Sequence, residues 1–189
     1  MNEREAVLEA KSQLKEGNII LYPSDTIWGL SADATNAEAV EKIIDLKGRS
    51  EEKSFIVLIN SDRMLYQCFR DIPEIVWELF DLSNDPLTIV LKNGQFVAPN
   101  VINKDGSLGV RMVKSGSCFD LLNAFNKPII STSPNFSAQP TPNSFDKIDP
   151  KIKEAVDFIY PQTFAKDLKM KPSKIISVGI DGEVKILRK

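Results

Sequence analysis

Histidine is absent from the 189 residues. That single absence removes Ser-His-Asp and Cys-His nucleophilic sites, His-ligated zinc and imidazole acid/base chemistry. Cysteine is nearly absent: Cys68 and Cys118 stand alone in apolar surroundings, Gln67-Cys68-Phe69 and Ser117-Cys118-Phe119. Two thiols are too few for a thiolate metal site, so both read as small core residues, a disulfide between them being disfavoured in a reducing compartment. No protein-held metal is expected. No apolar run approaches the ~20 residues that span a bilayer, and Met1-Asn2-Glu3-Arg4-Glu5 lacks the apolar stretch of a signal peptide. No membrane contact and a cytoplasmic location are the expectations. An excess of either charge is also missing: 24 basic and 26 acidic residues are interspersed, for a net charge of −2. That leaves no overall electrostatic footprint for long nucleic acid, although a local basic cleft stays open. Length and mixed composition suit one domain, residues 1–189, with a sizeable core.

Between residues 3 and 16, Val7, Leu8, Lys11 and Leu14 fall on helical spacing, and Gly17 follows as the C′ residue. Residues 18–22 read as a buried strand. Asn36 is placed to cap a helix through Leu46, with Val40, Ile43, Ile44 and Lys47 on one stripe and Glu38 in the first turn. Phe55-Ile56-Val57-Leu58-Ile59 is the continuous apolar run of a strand covered on both faces. Short helices are expected at 63–69 and 73–80, strands at 87–91, 108–112 and 127–131, and a helix at 118–125. Residues 135–149, rich in Pro, Ser, Asn and Gln, read as a surface loop. Strands follow at 158–159 and 175–178, and Asp181-Gly182 predicts a two-residue hairpin turn into 184–187. This alternation implies an α/β or α+β sheet protein with helices on its faces.

The segment Leu21-Tyr22-Pro23-Ser24-Asp25-Thr26-Ile27-Trp28-Gly29-Leu30 runs from a buried strand into a proline-fixed polar turn and back to apolar residues. Pro23 removes a ladder donor, so Ser24, Asp25 and Thr26 leave the sheet with side-chain oxygens at a strand end, where α/β proteins keep their chemistry. Taken alone it is an ordinary polar turn. Lys47-Gly48-Arg49 follows a helix, and Gly48 lets both cations face one ligand; a solvated helix C-terminus explains the same pair. Arg111 ends an apolar strand, at a cleft mouth or simply facing water. Ser131-Thr132-Ser133-Pro134-Asn135 packs neutral donors and acceptors beyond a strand end, a phosphate-binding pattern and also a common turn.

In this order the set resembles the YrdC/Sua5 family of threonylcarbamoyl-adenylate synthases. That family's outline has a Tyr-Pro-Thr-Glu-Thr strand end, a Lys-x-Arg, a Val-Arg and a Ser-Thr-Ser-x-Asn, and Pro172-Ser173-Lys174-Ile175 is similar to its late Pro-Ser-x-Ile. The resemblance implies a twisted, largely mixed sheet flanked by helices around a concave groove, the YrdC/RibB-like fold. It also implies condensation of L-threonine, bicarbonate and ATP, with Mg²⁺, to threonylcarbamoyl-AMP and pyrophosphate, the product passing to tRNA-modifying partner enzymes. Carried over residue by residue, Lys47, Arg49 and Arg111 are the catalytic candidates. Lys47, Arg49, Ser133, Asn135, Ser173 and Arg188 would bind the nucleotide. Ser24, Thr26, Arg111 and Ser131 would bind threonine, with Tyr22 and Trp28 packed around that pocket.

Several stretches differ from the outline. Ser24 and Asp25 stand for Thr and Glu, and Trp28 for Tyr. Ser83-Asn84-Asp85-Pro86-Leu87-Thr88 replaces a Trp-Pro-Gly-Pro-Leu-Thr pattern, Val113-Lys114-Ser115 follows the arginine, and Lys53-Ser54-Phe55 replaces an Asn/Lys-Pro-Leu. A second expectation is therefore a divergent relative that binds nucleotide, tRNA or double-stranded RNA through a concavity carrying Lys42, Lys47, Arg49, Lys53, Lys114 and Lys127. A third, a carbamoyltransferase-type relative, fits less well because such proteins carry this fold inside larger chains with metal-binding modules.

Overall fold

The chain opens as a helix because Asn2 and Glu5 close a capping box: the Glu5 amide donates to Asn2 Oδ1 at 2.9 Å, and the Asn2 amide to Glu5 Oε2 at 2.8 Å. This helix, α1, covers Glu3–Lys15 in the computed structural model, which describes residues 1–48, 55–165, 168 and 171–189. Gly17 follows at φ +74°. The remaining elements are β1 (Ile20–Pro23), β2 (Trp28–Asp33), α2 (Ala37–Lys47), β3 (Ile56–Ile59), α3 (Asp62–Tyr66), α4 (Ile75–Leu82), β4 (Leu87–Leu91) and β5 (Leu108–Met112). After them come α5 (Ser117–Phe125), β6 (Ile129–Thr132), α6 (Pro150–Ala155), β7 (Phe158–Ile159), β8 (Lys174–Val178) and β9 (Val184–Arg188). Asn36 caps α2 as its position predicts, accepting from the amides of Glu38 and Ala39. Gly48 closes it in the left-handed region at φ +55°.

Among the described residues the strands form one nine-stranded mixed sheet in the order β7-β1-β2-β6-β3-β5-β4-β8-β9. Pairings β1/β7, β3/β5 and β4/β8 are parallel and the rest antiparallel. Helices α1 and α5 pack on each other and on β1, and α2 packs on β2. The fold class is therefore the expected one, a mixed sheet with helices against it.

Register organises the sheet into contrasting rows. Ala32, Ile130, Val57, Val110, Ile89 and Ile176 are successive partners across β2, β6, β3, β5, β4 and β8, and all six are buried. The Val and Ile side chains of this row each contribute about 1.5–3 kcal/mol when fully buried. One residue away, on the opposite face, the row reads Ser131, Ile56, Gly109, Val90 and Ser177. All five of these line an open groove.

Three local features differ from the sequence expectation. Strand β2 has no alternation to betray it, because all six of its residues are buried and a strand covered on both faces loses the period-two signal. Helix α6 is announced only by Asp149 and Pro150: Asp149 caps it by accepting from the Lys151 amide at 2.9 Å, and Pro150 occupies its first turn. The β8–β9 hairpin has a longer turn than Asp181-Gly182 suggests. Gly179 and Glu183 pair through a 2.8 Å bond, and in the three residues between them only Gly182 has positive φ, +83°. A two-residue type I′ turn would need positive φ at both positions.

Candidate active-site groove

The groove has a volume of about 880 Å³, within the range of small-molecule sites. Its walls come from residues of β4, β5, β6, β8 and β9, the β1–β2 turn, and the 133 region. Polar side chains that the fold buries are concentrated here: Ser24, Thr26, Thr88, Arg111, Ser131 and Ser173 are all buried and all line it. Buried polar groups cost free energy unless they are paired, and these six are arranged in pairs or left aimed at the groove.

The β1–β2 turn is built on one hydroxyl. Ser24 Oγ donates to the Ile27 carbonyl at 2.7 Å and accepts from the amides of Thr26 at 3.1 Å and Ile27 at 3.2 Å. Thr26 Oγ1 lies 2.9 Å from the same oxygen, and either hydroxyl can be the donor of that contact. Ser131 is admitted by Gly29, where a Cβ would meet Ser131 Oγ at 2.6 Å.

Arg111 rises from β5 beside Gly109, is 3 % exposed, and places Nη2 3.0 Å from Asp25 Oδ1. The contact is ionic and lacks hydrogen-bond alignment, and Arg111 Nε is buried without a partner. Across the ladder, Thr88 is the register partner of Arg111, and its Oγ1 lies 2.8 Å from Ser173 Oγ. Arg188 completes the chain, donating from Nε at 3.1 Å and Nη2 at 2.8 Å to the Ser173 carbonyl. Partial burial, and then the neighbouring positive charge of Arg111, hold the Arg188 pKa below its ordinary value. Two guanidinium groups thus crowd one wall, an arrangement suited to anionic oxygens.

The structure brings Ser24, Thr26, Arg111, Ser131, Ser133, Ser173 and Arg188 to this one groove. Lys47 and Asn135 lie outside its lining. The Lys47 ammonium donates to the carbonyls of Ser133 at 2.5 Å and Asn135 at 2.6 Å, so it ties down the 133–135 turn from behind. The Asn135 amide donates to the carbonyls of Phe136 and Gln139, while its Oδ1 is buried and unpartnered. Arg49 and Lys53 lie outside the described residues. Trp28 lines the groove and meets Phe145 edge-on at 4.8 Å. Tyr22, expected beside it, is engaged elsewhere: its hydroxyl donates to the Ser117 carbonyl at 2.9 Å and its ring packs on Tyr160 at 4.4 Å. Register puts Tyr22 on the same side of the sheet as Ser131, through Gly29 and Ser31, but α1 and α5 pack on β1 there, so the ring is taken up by packing and not by the groove. Thr88 lines the groove and was not singled out, although a threonine inside the apolar run Leu87–Leu91 is a readable signal.

Cys68 and Cys118 are buried and unbonded, and burial pushes the Cys68 thiol up to about 12. Among the described residues no three His, Cys, Asp or Glu side chains are grouped to hold a metal, and no helix is long and apolar enough to cross a membrane.

A family model described as Sua5/YciO/YrdC telomere recombination matches residues 12–189. The chain belongs to the Sua5/YciO/YrdC family. A Halorhodospira halophila relative named threonylcarbamoyl-AMP synthase is 29% identical over 82% of this chain and 82% of its own. A Vibrio parahaemolyticus protein of the same name is 28% identical over 93% of this chain and 94% of its own. Among solved structures, P. abyssi Sua5 complexed with L-threonine superposes with a TM-score of 0.83 and 25% identity over 94% of this chain. The present chain spans 52% of that longer one.

Proposed function

We propose that this member of the Sua5/YciO/YrdC family is an L-threonylcarbamoyl-adenylate synthase, condensing L-threonine, bicarbonate and ATP to threonylcarbamoyl-AMP and pyrophosphate. The observation that carries the reading is the convergence of Arg111, Arg188 and a set of buried hydroxyls on one groove. The names of the relatives and the threonine held by the P. abyssi protein support it.

The threonine carboxylate sits on the side of the Arg111 guanidinium that lines the groove. Thr26 and Ser131 meet the rest of the amino acid, and Ser24 acts by fixing the turn that presents Thr26. The triphosphate lies along the Ser133 turn, which the Lys47 ammonium holds from behind; Asn135, and Arg49 from outside the described residues, are the further groups assigned to bind it. Ser173 and Arg188 hold the other end of the nucleotide. The threonine nitrogen takes up carbon dioxide derived from bicarbonate, a carbamate oxygen attacks the α-phosphorus, and the bond to pyrophosphate breaks. Alignment and charge neutralisation are what such a displacement needs, so a chain without histidine is equipped for it. Mg²⁺ enters with ATP as part of the substrate. The chain works as one unit in the cytoplasm, and tRNA-modifying enzymes consume the product.

The test is pyrophosphate release by the purified protein given ATP, Mg²⁺, bicarbonate and L-threonine, with each omitted in turn. Release that needs both threonine and bicarbonate is the expected result. Release independent of both, or ATP binding with no release, would overturn the reading in favour of a nucleotide- or RNA-binding relative.

A further inference from the structure

We infer that Asp25 is a positioning residue that sets the threonine affinity by fixing the guanidinium of Arg111. The inference rests on the assignment of Arg111 to the threonine carboxylate. Asp25 itself does not line the groove; Arg111 does. The aspartate stands behind the arginine, against a separate small cavity of about 110 Å³ between the β1–β2 turn and the turn that precedes β4. With side chains 4% and 15% exposed, the pair forms the partition between these two spaces.

Three observations give Asp25 this role rather than that of a turn residue. First, Ser24 supplies the side-chain bonds that hold the turn, so the fold of 24–27 does not depend on the aspartate side chain. Second, a guanidinium buried as deeply as that of Arg111 needs a counter-charge, and Arg188 on the same wall repels it. Third, the contact engages Nη2 alone and leaves Nε unpartnered. The carboxylate holds one corner of the fork while the remaining donors stay available for an anion. A carboxylate bound through a planar fork is sensitive to the orientation of that fork. Loss of the Asp25 charge therefore weakens threonine binding and leaves ATP binding as it was.

Threonine affinity by calorimetric titration, together with KM for threonine and for ATP, tests this in Asp25→Asn, Asp25→Glu, Arg111→Ala and the Asp25→Asn/Arg111→Ala double variant. Asp25→Asn is expected to raise the threonine Kd and KM about tenfold with the ATP KM unchanged, and to add little in the Arg111→Ala background, as coupled contacting residues do. Asp25→Glu, which keeps the charge, recovers most of the affinity. A normal threonine Kd in Asp25→Asn, an equal rise in both KM values, or a full additional loss in the double variant overturns the positioning role while leaving the synthase reading in place. A normal threonine Kd in Arg111→Ala overturns the assignment of Arg111, and this inference with it.

Discussion

The two faces of the sheet share one register and put it to opposite uses. Ala32, Ile130, Val57, Val110, Ile89 and Ile176 form a buried apolar row on one face. On the other, Ser131, Gly109 and Ser177 sit in a row that opens to the groove, and Thr88 and Arg111 face the same space. Val110 and Arg111 are consecutive and both buried, yet one faces hydrocarbon and the other lines the groove. Burial in this protein therefore has two meanings: packing, where neighbours are apolar, and preorganisation, where they are hydroxyls and guanidinium groups.

The sharpest way to break this contrast is to put a charge on the apolar face. Val110→Asp buries a carboxylate with no partner there, and the account expects a chain with no cooperative thermal transition by circular dichroism. The adjacent change, Arg111→Ala, should keep the fold and lower kcat/KM for threonine about 100-fold, on the order of the loss seen when one side of a buried charged contact is removed. Thr88→Val sharpens the comparison within the groove. It removes the partner of Ser173 Oγ, and should raise the ATP KM by roughly three- to fivefold, matching the ~1 kcal/mol of one hydrogen bond, with the threonine KM unchanged. The smallest effect concerns the cysteines. Burial raises both thiol pKa values, Cys68 to about 12. A raised value keeps the thiol protonated from its ordinary range up to that point, so native protein at pH 8 should resist iodoacetamide by mass spectrometry at both positions and react only after unfolding.

The apolar face was legible in the sequence and the groove face only in fragments. Phe55 to Ile59 and Leu87 to Leu91 announce themselves as strands through long apolar runs. Strand β2 does not, because Trp-Gly-Leu-Ser-Ala-Asp has neither an apolar run nor an alternation. The groove residues are visible as short polar strings, Ser24 to Thr26 and Ser131 to Asn135, whose convergence depends on strand order. β6 pairs with β2 and β3 although it follows them by many residues, and nothing local encodes that. Tyr22 shows the limit from the other side: an aromatic beside the polar turn looks like a pocket wall, and the helices packed over β1 take it up against Ser117 instead. Lys47 shows a third case, since spacing marks it as a cation near phosphate but cannot reveal the two carbonyls that hold its ammonium.

The central claim, that the groove walled by Arg111 and its hydroxyls is an amino-acid and nucleotide site while the side chains packed under the helices only support it, is tested most directly by titrating L-threonine into three proteins. These are the wild type, Arg111→Ala in the groove lining and Tyr22→Phe, whose ring packs on Tyr160 outside that lining. Saturable binding in the wild type and in Tyr22→Phe, lost in Arg111→Ala, is the predicted pattern; equal binding in all three, or binding lost in Tyr22→Phe with Arg111→Ala unaffected, would contradict it.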